Sequence, residues 1–148
     1  MTSDTKYMGI DYGEKRIGIS VSDESKKFSF NRDYIFNDKD LFKNLTKMIT
    51  SENVTMVVIG YPVKLNTERT EQTDNVDKFA ESLRKYLESN NIKAELTFFD
   101  ERLTSKIAAE SLLRSGIKKM KRREKGLVDG ISAQLILQDY LDKMNYVK

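Results

Sequence analysis

The sequence predicts an α/β protein built on a mixed five-stranded sheet, an antiparallel meander of three strands followed by two strands parallel to the first, with helices on both faces. Three observations carry this expectation. Apolar residues alternate through Met8-Gly9-Ile10 and again through Ile17-Gly18-Ile19-Ser20-Val21, the period of two strands joined by a short turn. Val54 to Gly60 is a nearly unbroken apolar run, the pattern of a central strand covered on both faces. Strand and helix signals then alternate to the end of the chain, as strand-helix-strand crossovers require.

The elements follow in order. The first strand ends at Asp11, a residue type that strands disfavour. Gly13 is expected to take positive φ in the turn after it. Lys26 to Phe36 reads as a third strand, with a bulge or bend at Asn31-Arg32-Asp33. Asn37 and Asp38 offer caps to a helix whose apolar stripe is Leu41, Phe42, Leu45, Met48 and Ile49. After the central strand, Gly60-Tyr61-Pro62 opens a polar loop to about Thr70. Val76, Phe79, Ala80, Leu83 and Leu87 then mark one side of a long helix fading at Ser89-Asn90-Asn91. A fifth strand spans Lys93 to Phe99. A third helix is expected from Thr104 or Ser105 to about Arg114, and a last one from Val128 to Met144. Phe28, Phe30, Phe79, Phe98 and Phe99 are expected in the core.

Composition narrows the chemistry. The 148 residues suit one domain, residues 1–148, and no window is long and apolar enough to span a membrane. The polar N-terminus carries no apolar signal region, which points to the cytoplasm. With neither cysteine nor histidine in the chain, thiol nucleophiles, imidazole bases and Cys/His zinc sites are excluded. Catalysis therefore falls to carboxylates, lysines, hydroxyls or a hard metal ion.

Carboxylates stand where such a site would form. In sheets of this kind, sites lie beyond the carboxyl ends of the parallel strands. Asp11 ends the first strand and Glu101 follows the fifth. On the last helix, Asp129 falls on the same side as Ala133, Ile136 and Tyr140, with Leu137 and Met144 beside them and Gln134, Gln138 and Asp142 elsewhere. An Asp in a first helical turn gains from the helix dipole alone, but that does not explain its place on the core-facing side. Two carboxylates about 4 Å apart repel by roughly 4 kcal/mol at an effective dielectric near 20. Three together call for a cation, and all-oxygen ligands favour Mg²⁺ or Mn²⁺. Such ions orient an attacking water and neutralise a phosphodiester in transition.

The expected partner is nucleic acid. The net charge is only +3, yet six of the eleven residues from Gly116 to Gly126 are Lys118, Lys119, Lys121, Arg122, Arg123 and Lys125. This segment, read as a loop or frayed helix end, precedes Asp129 directly and would bind a polyanion beside the metal. Arg16 and Arg102 flank the acids and are candidates for pairing with them or for phosphate contact; Lys64 and Arg69 are weaker ones. Tyr61 is open between core and contact surface. Monomer and homodimer are both compatible with the chain.

The residues also resemble a known family. Gly9-Ile10-Asp11-Tyr12-Gly13 with Lys15-Arg16-Ile17-Gly18, Val58-Ile59-Gly60-Tyr61-Pro62, Asp100-Glu101-Arg102-Leu103-Thr104, and Val128-Asp129 leading to Leu135-Ile136-Leu137-Gln138-Asp139-Tyr140-Leu141 are similar to the motifs of the YqgF (RuvX) family, in the same order. The resemblance implies an RNase H-like fold related to the RuvC resolvases. It implies a metal-dependent nuclease, either a Holliday junction resolvase acting on branched DNA or the enzyme maturing the 5′ end of pre-16S ribosomal RNA, with Asp11, Glu101 and Asp129 as its acids. The chain departs from the pattern in three places. The loop after Pro62 lacks a glycine, Gly130 follows Asp129 where the family more often has Ser, and no carboxylate lies one turn beyond Asp129, where RuvC-type resolvases carry a fourth acid. Two other classes fit less of the chain: a nucleic-acid-binding module without catalysis, and an actin-like kinase, which would need a second such domain around its nucleotide.

Overall fold

The computed structural model describes residues 5–61, 71–100 and 125–146. Five strands, β1 (Lys6–Asp11), β2 (Arg16–Ser22), β3 (Ser29–Phe36), β4 (Val54–Tyr61) and β5 (Glu95–Asp100), form one sheet in the order β3-β2-β1-β4-β5. β2 is antiparallel to both β1 and β3, whereas β4 is parallel to β1 and to β5. Helices α1 (Leu41–Ser51), α2 (Glu71–Ser89) and α3 (Lys125–Tyr146) complete the described elements. The expected helix near residues 104–114, the loop of Lys64 and Arg69, and residues 116–124 lie outside the described residues.

The two faces of the sheet differ chemically, and the difference follows from strand parity. Met8, Ile10, Ile17, Ile19, Val21, Val57 and Ile59 point to one side, where they bury the stripes of α1 and α2. The opposite side receives α3. There β1 and β2 present Gly9, Gly18, Ser20 and Ser22, and the apolar cluster is smaller, comprising Val58, Phe99, Ile136, Leu137 and Leu141. Small residues let the helix backbone settle close to the sheet. A Cβ on Gly9 would stand 2.7 Å from Leu137 Cβ and 2.8 Å from the Ala133 carbonyl oxygen. The buried Ser20 hydroxyl donates to that same carbonyl at 2.8 Å, and the Ser29 hydroxyl donates to Gln134 O at 2.7 Å.

Several local expectations change. Gly13 has a negative φ; its missing side chain matters because a Cβ there would run into the Arg16 carbonyl oxygen. β3 starts at Ser29 rather than Lys26, because Lys26 takes the left-handed conformation (φ 59°) in a turn tied by Asp23. The Asp23 carboxylate accepts the amides of Lys27 and Phe28, both at 2.9 Å, and the Ser25 hydroxyl. The expected bulge in β3 is present. The register slips between Gly18 and Ser20, and Asp33 sits at φ 62°. α1 begins after Asp40 with no side-chain cap; Asp38 instead accepts the Asp40 amide at 3.0 Å in the turn before it.

α3 extends beyond its expected start and includes Lys125, despite Gly126 in its first turn. Gln134 and Gln138 are half-buried. Their side chains bond the Ser29 amide and carbonyl and the Lys27 carbonyl, fastening the helix to edge strand β3. Met144 is exposed, because the helix has passed beyond the sheet there. Phe79 and Phe99 are buried as expected, but Phe28, Phe30 and Phe98 are exposed: they occupy edge strands and a turn, where no helix among the described residues covers them.

The Asp23 turn has a pH signature. Burial pushes its carboxyl upward, but the bonds from Ser25, Phe28 and Lys27 outweigh it and hold the pKa down, from 3.8 to about 2. A carboxyl depressed on folding stabilises above its unfolded pKa and loses that contribution as pH falls towards the folded value. Solvent screening of this largely exposed carboxylate reduces the effect, so urea titrations of wild type and Asp23→Ala should differ by no more than about 1 kcal/mol at pH 6 and converge between pH 4 and pH 2. A gap that persists at pH 2 would show that the charge is not what matters.

Candidate active site

The site is built from β1 outwards. Residues of one parity on β1, Tyr7, Gly9 and Asp11, face α3. Tyr7 meets Tyr140 with ring centroids 6.3 Å apart, and Gly9 meets Ala133 and Leu137. The strand therefore runs forwards along the helix as the helix runs backwards. Asp11 lies two strand residues past the Gly9 contact, about 7 Å. Position 129 lies one helical turn past the same contact, about 6 Å, in the same direction. The carboxyl end of β1 and the amino end of α3 thus meet over one end of the sheet.

Asp11 is half-buried and pairs across the strand with Gly18. The turn beyond it is held from outside. Asn37 donates through Nδ2 to Gly13 O at 3.0 Å and through its amide to Lys15 O at 2.9 Å. Sequence pattern assigned Asn37 to helix capping; its place three residues before the cap of α1 gives no hint of a bond to a turn more than 20 residues earlier. Tyr61 resolves as a structural residue. Its ring packs on Phe98 at 4.8 Å and its hydroxyl donates to Asp77 of α2 at 3.0 Å, which ties down the carboxyl end of β4.

Of the other predicted residues, Arg16 opens β2 on the same face as Asp11, and its guanidinium lies 5.9 Å from the centre of the Tyr34 ring. Lys125 is the first residue of α3, and Asp129 is in its second turn. The side chains of Lys125 and Asp129 lie outside the described residues, as do Glu101, Arg102, Lys118, Lys119, Lys121, Arg122 and Arg123. Among the described residues no three acidic side chains gather into a metal site. β5 ends at Asp100, which pairs with Tyr61. Its neighbour Phe99 faces α3 with Leu137, so Asp100 has the opposite parity.

Gly130, one of the departures from the family pattern, has a local reason. A Cβ there would strike the Asn31 side chain and lie 2.9 Å from Asp33 O, so the helix approaches the β3 bulge closely. Asn31 Oδ1 accepts the Asp33 amide at 2.5 Å and holds that bulge. The two unusual features, bulge and glycine, fit one another.

Comparison with known proteins agrees with this architecture. Residues 5–143 match the family model described as "RuvX: Holliday junction resolvase". The chain is 34% identical over 142 residues to a protein of Sulfurihydrogenibium sp., covering 96% of this chain and 93% of that one. It is 37% identical over 138 residues to a protein of Bacteroides fragilis, covering 93% and 96%. Both carry the name "Putative pre-16S rRNA nuclease". Among solved structures, Thermus thermophilus RuvC in complex with a Holliday junction substrate superposes with a TM-score of 0.59 at 11% identity, covering 95% of this chain and 96% of that one. The fowlpox virus Holliday junction resolvase gives 0.56 at 11% identity, covering 93% and 99%. At that identity the likeness concerns the fold.

Proposed function

Because the chain belongs to the RuvX family, we propose that it is a nuclease hydrolysing phosphodiesters of structured RNA, acting at the 5′ end of the 16S ribosomal RNA precursor in the cytoplasm. One observation of the molecule carries the reading: Asp11 and the start of α3 converge on the carboxyl end of β1, past the close contact of Gly9 with Ala133 and Leu137. Asp11, Glu101 and Asp129 are the residues that would hold a divalent ion there. The donor set fits a hard cation, since a chain without histidine or cysteine offers oxygen ligands. When bound, Mg²⁺ or Mn²⁺ supplies an activated water and neutralises charge developing on the phosphodiester.

The chain's own residues do the rest. Asp11 presents its carboxylate from the end of a strand whose preceding residues Met8, Gly9 and Ile10 are buried, and Asn37 keeps the following turn in place. A rigid support of this kind keeps ligand atoms where charge develops. Lys118, Lys119, Lys121, Arg122, Arg123 and Lys125 precede Asp129 in sequence and would draw the phosphate backbone to that end of α3, with affinity that falls as salt rises. Arg16 shares the Asp11 face, and Arg102 follows Glu101; both are proposed to contact nucleic acid.

A second reading keeps the chemistry and changes the substrate to branched DNA. The family description and the RuvC-like fold favour it, whereas Ser132 and Ala133 stand where a fourth acid would follow Asp129. Cleavage of a 5′-extended ribosomal RNA precursor and of a four-way DNA junction, each with Mg²⁺ or Mn²⁺, separates the two. Cutting of the precursor by wild type and not by Asp11→Asn is the expected result. Selective cutting of the junction would transfer the assignment to the second reading, and cutting of neither substrate would leave a binding module.

A further inference from the structure

At the Asp11 end of the sheet, one row of paired residues crosses three strands: Asp11 on β1, Gly18 on β2 and Tyr34 on β3. All three belong to the face that receives α3, because their neighbours Ile10, Ile17 and Ile35 belong to the opposite core. Gly18 has no side chain to stand between Asp11 and Tyr34, whose strands lie about 10 Å apart, two strand spacings. Phe36 is the next β3 residue of the same parity and pairs with Arg16. Its ring meets Tyr34 edge-on, with centroids 5.2 Å apart and planes at 85°, and it remains 57% exposed. The Arg16 guanidinium lies over Tyr34 at 5.9 Å. An exposed Phe36 against a half-buried Tyr34, beside a cation and at one end of a row that leads to the proposed metal ligand, has the composition of a base-stacking surface rather than of a protein core.

We propose that Tyr34, Phe36 and Arg16 form a platform on which an unpaired nucleobase of the substrate stacks, setting the strand so that a neighbouring phosphate reaches Asp11. The platform rests on the nuclease reading for its purpose, while base stacking itself needs no metal. Nucleic acid is favoured as the occupant by charge, since α3 begins at this end of the sheet and Lys118 to Arg123 precede it. Stacking on aromatic side chains tolerates any base, so the platform orients the strand without reading its sequence.

The test uses wild type, Phe36→Ala, Phe36→Trp and Tyr34→Leu in EDTA with a short single-stranded RNA carrying one 2-aminopurine. Wild type should quench the probe on binding. Phe36→Ala and Tyr34→Leu should weaken binding by roughly 5- to 100-fold and relieve the quench. Phe36→Trp should retain both, which excludes a mere folding role. Because the aromatic rings carry no charge, the salt slope of binding should be the same in Phe36→Ala as in wild type. Unchanged affinity and quench in Phe36→Ala would overturn the platform even if the enzyme cuts RNA. Quenching in EDTA without metal-dependent cleavage of any substrate would retain the platform and remove the nuclease. Loss of self-association in Phe36→Ala, with stacking intact, would assign this face to contacts between copies of the chain.

Discussion

Asp11→Asn should lower phosphodiester cleavage by about a thousandfold, equivalent to about 4 kcal/mol of transition-state stabilisation, while its thermal midpoint in EDTA stays near that of wild type. The substitution keeps the size of the side chain and removes its charge. Asp11 is half-buried at a strand end, and the core below it, Met8 and Ile10, is untouched. Asparagine can keep a hydrogen bond that the carboxylate accepts, so the cost in EDTA should stay within about 1 kcal/mol. The discriminating measurement is the midpoint against added Mg²⁺. A ligand at ten times its Kd stabilises the folded state by about 1.4 kcal/mol, so wild type should gain a few degrees and Asp11→Asn should gain none. Equal gains in both proteins would place the ion elsewhere, and full cleavage by the variant would remove Asp11 from the reaction.

Gly9→Ala should be among the most destabilising methyl additions in the chain, at about 3 kcal/mol, the upper range of overpacking. The new Cβ would stand 2.5 Å from the Ser20 hydroxyl, 2.7 Å from Leu137 Cβ and 2.8 Å from the Ala133 carbonyl oxygen. Two of these three are fixed by the helix backbone and cannot rotate aside, so α3 must lift from the sheet. Lifting also breaks the Ser20 bond to Ala133, worth about 1 kcal/mol. At about 2–4 °C per kcal/mol for a chain of this length, the thermal midpoint should fall by about 6–12 °C. Cleavage should fall further than the loss of folded protein explains, because the same movement separates position 129 from Asp11. A midpoint within a degree of wild type would mean that the helix does not bear on Gly9.

The two substitutions probe different things that meet at one place. Asp11 supplies charge, and its effect should depend on metal. Gly9 supplies closeness, and its effect should appear in EDTA as fully as in Mg²⁺.

The sheet was legible because each strand carried its own pattern. Period-two alternation in β1 and β2 and the unbroken run of β4 reflect how many faces each strand buries, a property written residue by residue. The same holds for the stripes of α1 and α2, whose buried residues Leu45, Ile49, Phe79 and Leu83 recur at helical spacing. Asp11 stood out for the same local reason, as an acid at the end of a strand.

What the tertiary structure decided was contact between segments far apart in the chain. Nothing near Gly130 announces that its missing Cβ admits the β3 bulge, nor does Asn37 announce its bond to the turn after Asp11. Gln134 and Gln138 have the periodicity of an outer helix face, yet they hold an edge strand, because main-chain groups at a sheet edge need partners. Phe36 and Phe30 have the composition of core residues and lie exposed, because hydrophobicity reports the preference of a side chain and only packing decides whether a neighbour arrives to cover it. Composition and periodicity determined the layers and the acid at the end of β1. The close approach of α3 over Gly9, which brings the two ends of the site together, depended on how separate elements fit.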